Sequence, residues 1–314
     1  MMKILAADIG GTNSRFAVFE KKGTNELEML ASEKFLTGSF SSFEQMLQTL
    51  REDSELPIRE CNAAVFAVPG AVRQKKICQP ANISWLIDVS KLSASGFPPS
   101  ILINDFVAQA FACRSPAVKN PVLIHHAIAD AEGVVGVIGA GTGLGHCALV
   151  PLDSGNYVAV PSESGHVGFM FTGAEEKEYE RFLARETGKS YGYGDIVVSG
   201  MGLSLVHHFL YGHKLSPAEV SNQLDNFPKT VEWFARFYAR ACRHYALSVL
   251  TTGGLFIAGG VAAKNPGLVN NLSFLNEFLN SPTQEALLRT IPVFLNLNED
   301  SGLFGAALYG IQFF

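Results

Sequence analysis

One idiom, used twice, constrains this chain more than anything else in it. "ILAADIGGTNSRFAVF" (Ile4–Phe19) runs apolar into Asp8, turns through Gly10, Gly11, Thr12 and Asn13, and leaves with polar and apolar residues alternating. "VVGVIGAGTGLGHCALV" repeats the layout, with its turn at Gly139, Gly141, Thr142 and Gly143. Two such hairpins predict a duplicated architecture with one glycine turn per half; the alternative is chance recurrence of a common turn. Positive φ comes easily to glycine, so a plain hairpin accounts for the glycine pairs. It does not account for Asp8, Thr12 and Asn13. A nest of exposed backbone N–H groups facing an anion or a metal-bound phosphate would.

Between and after the hairpins, strands alternate with helices, which indicates an α/β protein. Strand patterns fall near residues 3–9, 14–19 and 27–36, in "CNAAVFAV" before Pro69-Gly70, in "SILIND" and in "IPVFLN". In "SSFEQMLQTL" the spacing of Phe43, Met46, Leu47 and Leu50 predicts a helix, with Ser41 and Glu44 as its capping box. "SPAEVSNQL" offers a second capping box, Ser216 with Glu219, and Pro217 at the first helical position. A long helix from "PKTVEWF" to Gly253-Gly254 carries Trp233, Phe237 and Tyr238 on one face, a core stripe. "SGLFGAALYGIQFF" closes the chain as an apolar helix.

Composition narrows the class. A net charge of −5 over 314 residues gives no basic footprint for nucleic acid or an anionic membrane. No run of about 18 apolar residues predicts a membrane span. The five cysteines form no C-x-x-C pair and are odd in number, so reduced, buried thiols in a cytoplasmic protein are expected. The pairs His125-His126 and His207-His208 lack matching acids or cysteines and are expected to be structural.

Known phosphate cradles exclude two decoys. In "GAGTGLG" the last glycine of a dinucleotide fingerprint would fall at Leu144. In "TGKS" the first glycine of a P-loop would fall at Leu183, and the segment ends a helix. Three turns remain, early, midway and late: "DIGGTN", "GAGTG" and "GGLFIAGGV", the last containing Gly259 and Gly260. Two further stretches join them. "ILINDFVAQAFA" puts Asn104 and Asp105 at the carboxyl end of a strand, where ligands collect in α/β sheets. "VPSESGHVGF" offers Glu163 and His166 in a Gly/Ser-rich loop.

The ordered trio resembles the actin-like sugar-kinase ATPases. With "INDF", "E-x-GHV" and "SG-x-GL", nearly the whole chain resembles the bacterial glucokinase family. The zinc motif of ROK-type kinases and a leading helix-turn-helix are missing. The resemblance implies a two-domain actin-like (ribonuclease H-like) α/β fold with an interdomain cleft: a small domain from residues 1–115 plus 300–314, and a large one from 116–299. It implies ATP on Asp8, Gly10, Gly11, Thr12, Asn13, Gly139, Gly141, Thr142, Gly143, Gly259 and Gly260, with Mg²⁺ held by Asp8 through water. Glucose would be bound by Asn104, Asp105, Glu163 and His166, with Asp105 the catalytic base, and Asn82 in "AN-x-x-W" would lie beneath the sugar. Asp195 stands where the family has a sugar-contacting Glu; one methylene shorter, it needs a shifted backbone or a water to reach. Gly168, Phe169 and Met170 depart from the family's acid-containing pattern. The expected activity is phosphorylation of the 6-hydroxyl of glucose for glycolysis, in a cytoplasmic homodimer. A kinase for another hexose or an N-acylhexosamine, or a non-catalytic sugar sensor on the same fold, are the alternatives. From position alone, Asn104-Asp105 could cap a helix, Glu163 could be a solvated acid, His166 structural, and Asp195 a loop cap.

Overall fold

The computed structural model describes residues 2–23 and 26–314. The strands are β1 (Lys3–Ile9), β2 (Asn13–Lys21), β3 (Leu27–Leu36), β4 (Ala63–Val68), β5 (Ile77–Cys78), β6 (Ile87–Asp88), β7 (Ser100–Asn104), β8 (Val122–His125), β9 (Val135–Ala140), β10 (Leu144–Pro151), β11 (Tyr157–Ser162), β12 (Leu255–Ala258) and β13 (Val293–Leu295). The helices are α1 (Phe43–Asp53), α2 (Asp105–Ala112), α3 (Gly173–Thr187), α4 (Gly194–Val197), α5 (Gly200–Tyr211), α6 (Pro217–Ser221), α7 (Pro228–Val249), α8 (Gly260–Lys264), α9 (Leu272–Leu279), α10 (Glu285–Leu288) and α11 (Ser301–Phe313). Two compact units result: one runs to Asn120 and is completed by Asn298–Phe314, the other is Pro121–Leu297.

The first unit is built on a sheet of order β3-β2-β1-β4-β7, antiparallel at β2 and parallel through β1, β4 and β7. Side chains alternate across a strand. Leu5, Ala7 and Ile9 of β1 therefore join Phe43, Met46, Leu47 and Leu50 of α1 in one core. On the opposite face α11 packs against β1, β4 and α2. That crossing is tight: a Cβ on Gly305 of α11 would lie 1.7 Å from the Ala108 carbonyl oxygen.

The second unit repeats the arrangement as β11-β10-β9-β12-β13-β8, with a three-strand antiparallel run followed by parallel β9, β12 and β13. The duplication legible in the two hairpins is thus a duplication of sheet order. Tyr179, Phe234, Phe237 and Tyr238 fill the core where α7 packs. Inside this helical layer, Arg240 is almost wholly buried, donating to Glu176 at 3.0 Å and to Glu277 at 2.9 Å. Removing either acid would take from this buried guanidinium one of its two carboxylate partners, at a cost of up to about 3–5 kcal/mol.

Two helix boundaries differ from the sequence reading. The cap of α1 is Ser42, whose hydroxyl accepts from Gln45 N–H, while the Gln45 side chain reaches back to Ser41 N–H at 2.8 Å. Glutamine one position on does the work expected of Glu44. Helix α7 stops at Leu250 rather than at Gly253-Gly254. Leu250 sits at φ 52°, exposed, and is a left-handed cap without glycine's freedom. All five cysteines are buried and unbridged, and burial pushes the Cys61 and Cys147 thiols up to about 12. Among the described residues no helix is long and apolar enough to cross a membrane.

Relieving the strain at Leu250 makes a test. Leu250→Gly should raise unfolding stability by about 0.5–1 kcal/mol in urea titration, since the left-handed penalty exceeds the value of an exposed leucine. A less stable variant would show that this side chain contributes packing that outweighs its backbone cost.

Candidate active site

In the first unit the parallel ladder lines up three chain ends. Asp8 lies opposite Ala67, and Val68 opposite Asn104, so the ends of β1, β4 and β7 share one edge. Beyond β1 the turn Gly10-Gly11-Thr12 is pinned from below. Thr37 donates its hydroxyl to the Gly10 carbonyl at 2.6 Å and its N–H to the Thr12 carbonyl at 3.0 Å. Neither Gly10 nor Gly11 has positive φ. The glycines answer to space instead: a Cβ on Gly11 would lie 3.2 Å from the Asn82 Cβ and carbonyl oxygen. That contact brings Asn82 against the first turn, with Trp85 three residues on donating to the Phe40 carbonyl at 3.1 Å.

Asn104 ends β7 and caps α2. Its side-chain oxygen accepts from Phe106 N–H at 2.9 Å, and its amide donates to the Gly70 carbonyl at 3.1 Å. Asp105, the first residue of α2, also accepts from Phe106 N–H, at 3.0 Å. The pair therefore does cap the helix, and both side chains remain partly exposed at the strand's carboxyl end. Capping and chemistry are compatible, because a carboxylate has lone pairs to spare.

Asp8 is harder to hold. Being at an even position of β1, it faces α11 and α2, where a Cβ on Gly302 would lie 2.9 Å from its carboxylate and 3.2 Å from the Gln109 amide. Burial raises its pKa and the cross-strand neighbour Arg15 pulls it back down, leaving the carboxyl above its ordinary 3.8.

In the second unit the turn Gly141-Thr142-Gly143 joins β9 to β10 and closes on itself, Gly141 N–H donating to the Gly143 carbonyl at 2.8 Å. A Cβ on Gly141 would meet nothing within 4 Å, so its outer face is open. Gly139, within β9, lies opposite Ala258 of β12. Beyond β12, Gly259 (φ 86°) brings its backbone so close that a Cβ would lie 2.5 Å from the Ala140 carbonyl oxygen, and Gly260 opens α8. One side chain ties the two turns: the Tyr238 hydroxyl accepts from Ala140 N–H at 2.9 Å and donates to the Ala258 carbonyl at 3.4 Å. Sequence periodicity placed Tyr238 in a core stripe; the polar end of that stripe was not legible.

Glu163, His166 and Asp195 come together in this unit. His166 Nε2 is 3.6 Å from Glu163 and its Nδ1 3.7 Å from Asp195, with Glu163 and His166 well exposed. Asp195 is turned inward and accepts from Leu144 N–H at 2.8 Å. The departing residues behind them have a structural use. Phe169 packs on Phe171 and Phe237, and the Met170 carbonyl accepts from Arg240 at 2.9 Å.

The position of Asp8 yields a pH test. A carboxyl raised in the folded state favours folding below its ordinary value, and that contribution is lost as pH rises through the raised one. At pH 8 the fold then carries a buried charge that Asn would not. Asp8→Asn should melt about 2 °C or more above the parent at pH 8, with the gap closing towards pH 4. A gap independent of pH would show that ionisation of Asp8 is not the cost.

Comparison with known proteins follows the same lines. A glucokinase of Trichormus variabilis is 30% identical over 98% of both chains. The crystal structure of a glucokinase from an Antarctic psychrotroph superposes with a TM-score of 0.85, at 25% identity and 99% coverage of both chains. A Balamuthia mandrillaris glucokinase in complex with glucose shares the fold, with a TM-score of 0.81 at 19% identity, over 99% of this chain and 94% of that one. The glucokinase family profile matches residues 5–312. With all but a few terminal residues accounted for, the chain belongs to the glucokinase family.

Proposed function

We propose that this chain phosphorylates the 6-hydroxyl of glucose with ATP, the activity its family is named for, and that Asp105 is the general base. The family match over residues 5–312 carries the reaction. The role of Asp105 is supported by its place as the first residue of α2, with one carboxylate oxygen on a backbone N–H that fixes its orientation.

In the transfer, the hydroxyl oxygen bonds to the γ-phosphorus as the bond to the β,γ-bridging oxygen breaks and ADP leaves. The hydroxyl proton passes to the Asp105 carboxylate. Phosphoryl transfer asks the protein mainly for positioning. Gly10, Gly11, Thr12 and Asn13, with Gly139, Gly141, Thr142 and Gly143, supply backbone N–H groups and hydroxyls to the phosphates. Gly259 and Gly260 support adenosine. Asn82, Asn104, Glu163 and His166 hold the sugar, whose hydroxyls both donate and accept; Asp195, 3.7 Å from His166, supports that ring.

Asp8 suits Mg²⁺ held through water. By surface exposure the residue is only partly buried, and Mg²⁺ keeps its waters and needs only one or two carboxylates beside substrate phosphates. When bound, Mg²⁺ neutralises charge on those phosphates. The working form we propose is a cytoplasmic homodimer that delivers glucose 6-phosphate to glycolysis, as the family resemblance implies.

Two variants test the assignment. Asp105→Asn keeps the helix cap and cannot take a proton, so kcat should fall about 10²–10⁴-fold with melting temperature little changed. A variant keeping more than about a tenth of parental kcat would remove Asp105 from the mechanism. Tyr238→Phe leaves Ala140 N–H without its acceptor, at a cost of about 1–3 kcal/mol of stability. It should raise the KM for ATP by about 3- to 10-fold while that for glucose moves much less. Equal effects on both substrates would mean that Tyr238 does not serve the nucleotide turns.

A further inference from the structure

Three backbone segments of the second unit meet at one carboxylate. Asp195 Oδ1 accepts from Leu144 N–H at 2.8 Å, at the exit of the second glycine turn. A Cβ on Gly143, in that turn, would lie 2.7 Å from Asp195 Oδ2. A Cβ on Gly165, in the loop carrying Glu163 and His166, would lie 2.4 Å from Oδ1 and 2.2 Å from the Leu144 carbonyl oxygen. On Gly194, beside Asp195, it would lie 2.9 Å from the Gly165 carbonyl oxygen. Glycine at all three places thus admits the carboxylate and lets the backbones touch. The same segment reaches the turn again five residues on, where Gly200 N–H donates to the Gly141 carbonyl at 2.9 Å.

We propose that Asp195 is a positioning residue that couples the nucleotide turn 141–143 to the hexose loop 163–166, so that filling one site orders the other. The inference rests on the functional reading above. The short Asp side chain keeps its carboxylate between the two loops, on Leu144 N–H and beside Gly143 and Gly165. A carboxylate accepting a backbone N–H makes a strong, charge-assisted bond, and close-packed segments shift together rather than separately. With Oδ2 3.7 Å from His166 Nδ1, displacement of the turn is passed to the ring assigned to the sugar above.

The readout is thermodynamic coupling, which a merely structural residue would not move. Glucose affinity is measured by calorimetry with and without a saturating non-hydrolysable ATP analogue. In the parent the analogue should tighten glucose about fivefold or more, within the usual range for coupled sites. Asp195→Ala should bring that factor to within about twofold of unity, and Asp195→Asn, which can still accept from Leu144 N–H, should keep most of it. Should Asp195→Ala fail to fold, Gly143→Ala, whose methyl would meet the Asp195 carboxylate first, at 2.7 Å, should abolish the coupling in its place. Parental coupling in the Ala variants, or none in the parent, overturns the proposal while leaving glucose binding intact. A parent that binds the analogue but no glucose overturns the functional reading, and this inference with it.

Discussion

Parallel strands side by side must leave their sheet at the same edge, and the rest of this molecule depends on that constraint. In the first unit the ladder through β1, β4 and β7 sends the glycine turn after Ile9, the Pro69-Gly70 turn and the start of α2 out together. In the second, β9 and β12 do the same for the turns at Gly141 and Gly259. Each sheet thereby gathers loop backbone and polar side chains at one rim without any of them being adjacent in sequence. The antiparallel hairpins on the other side of β1 and β9 add the tight turns whose N–H groups suit phosphate.

Much of this was legible in the sequence. The repeated strand–glycine turn–strand idiom marked both sheets, and apolar spacing found α1, α7 and α11. What escaped was decided by distant partners. Gly10 and Gly11 read as conformational glycines, whereas Asn82 is what crowds the space a side chain on Gly11 would need. The reach of Asp195 was expected to be short; its N–H partner, Leu144, lies 51 residues away and no local pattern names it. Tyr238 was counted as core because periodicity reports which face is buried and says nothing of a hydroxyl at the far end. The cap of α1 slipped by one residue because serines at 41 and 42 offer equivalent hydroxyls, and the side chain of Gln45 decides between them.

Charge is distributed in two regimes. Glu176 and Glu277 are matched by the buried Arg240 and Arg243 and the partly exposed Arg236 in the helical layer, where removal of one partner is costly. Asp8 has the attraction of Arg15, which it shares with Glu299 and Asp300, against the cost of burial, and its carboxyl is left raised. The first arrangement serves the fold. The second leaves a carboxylate whose charge the protein itself compensates poorly.

The seating of α11 on β1, β4 and α2 also imposes an order of events during synthesis. The sheet of the first unit is made before Pro121–Leu297, yet the helix that covers Ile4 and Val65 on one face is translated only after all of that unit. At ~5–20 residues per second that interval lasts on the order of 10–40 s. For that time the apolar face over β1 and β4 has α2 beside it but lacks α11, while the intervening unit already holds every residue of its own core. Nascent chains should therefore draw holdase chaperones to the N-terminal strands, and release from them should coincide with arrival of the final helix.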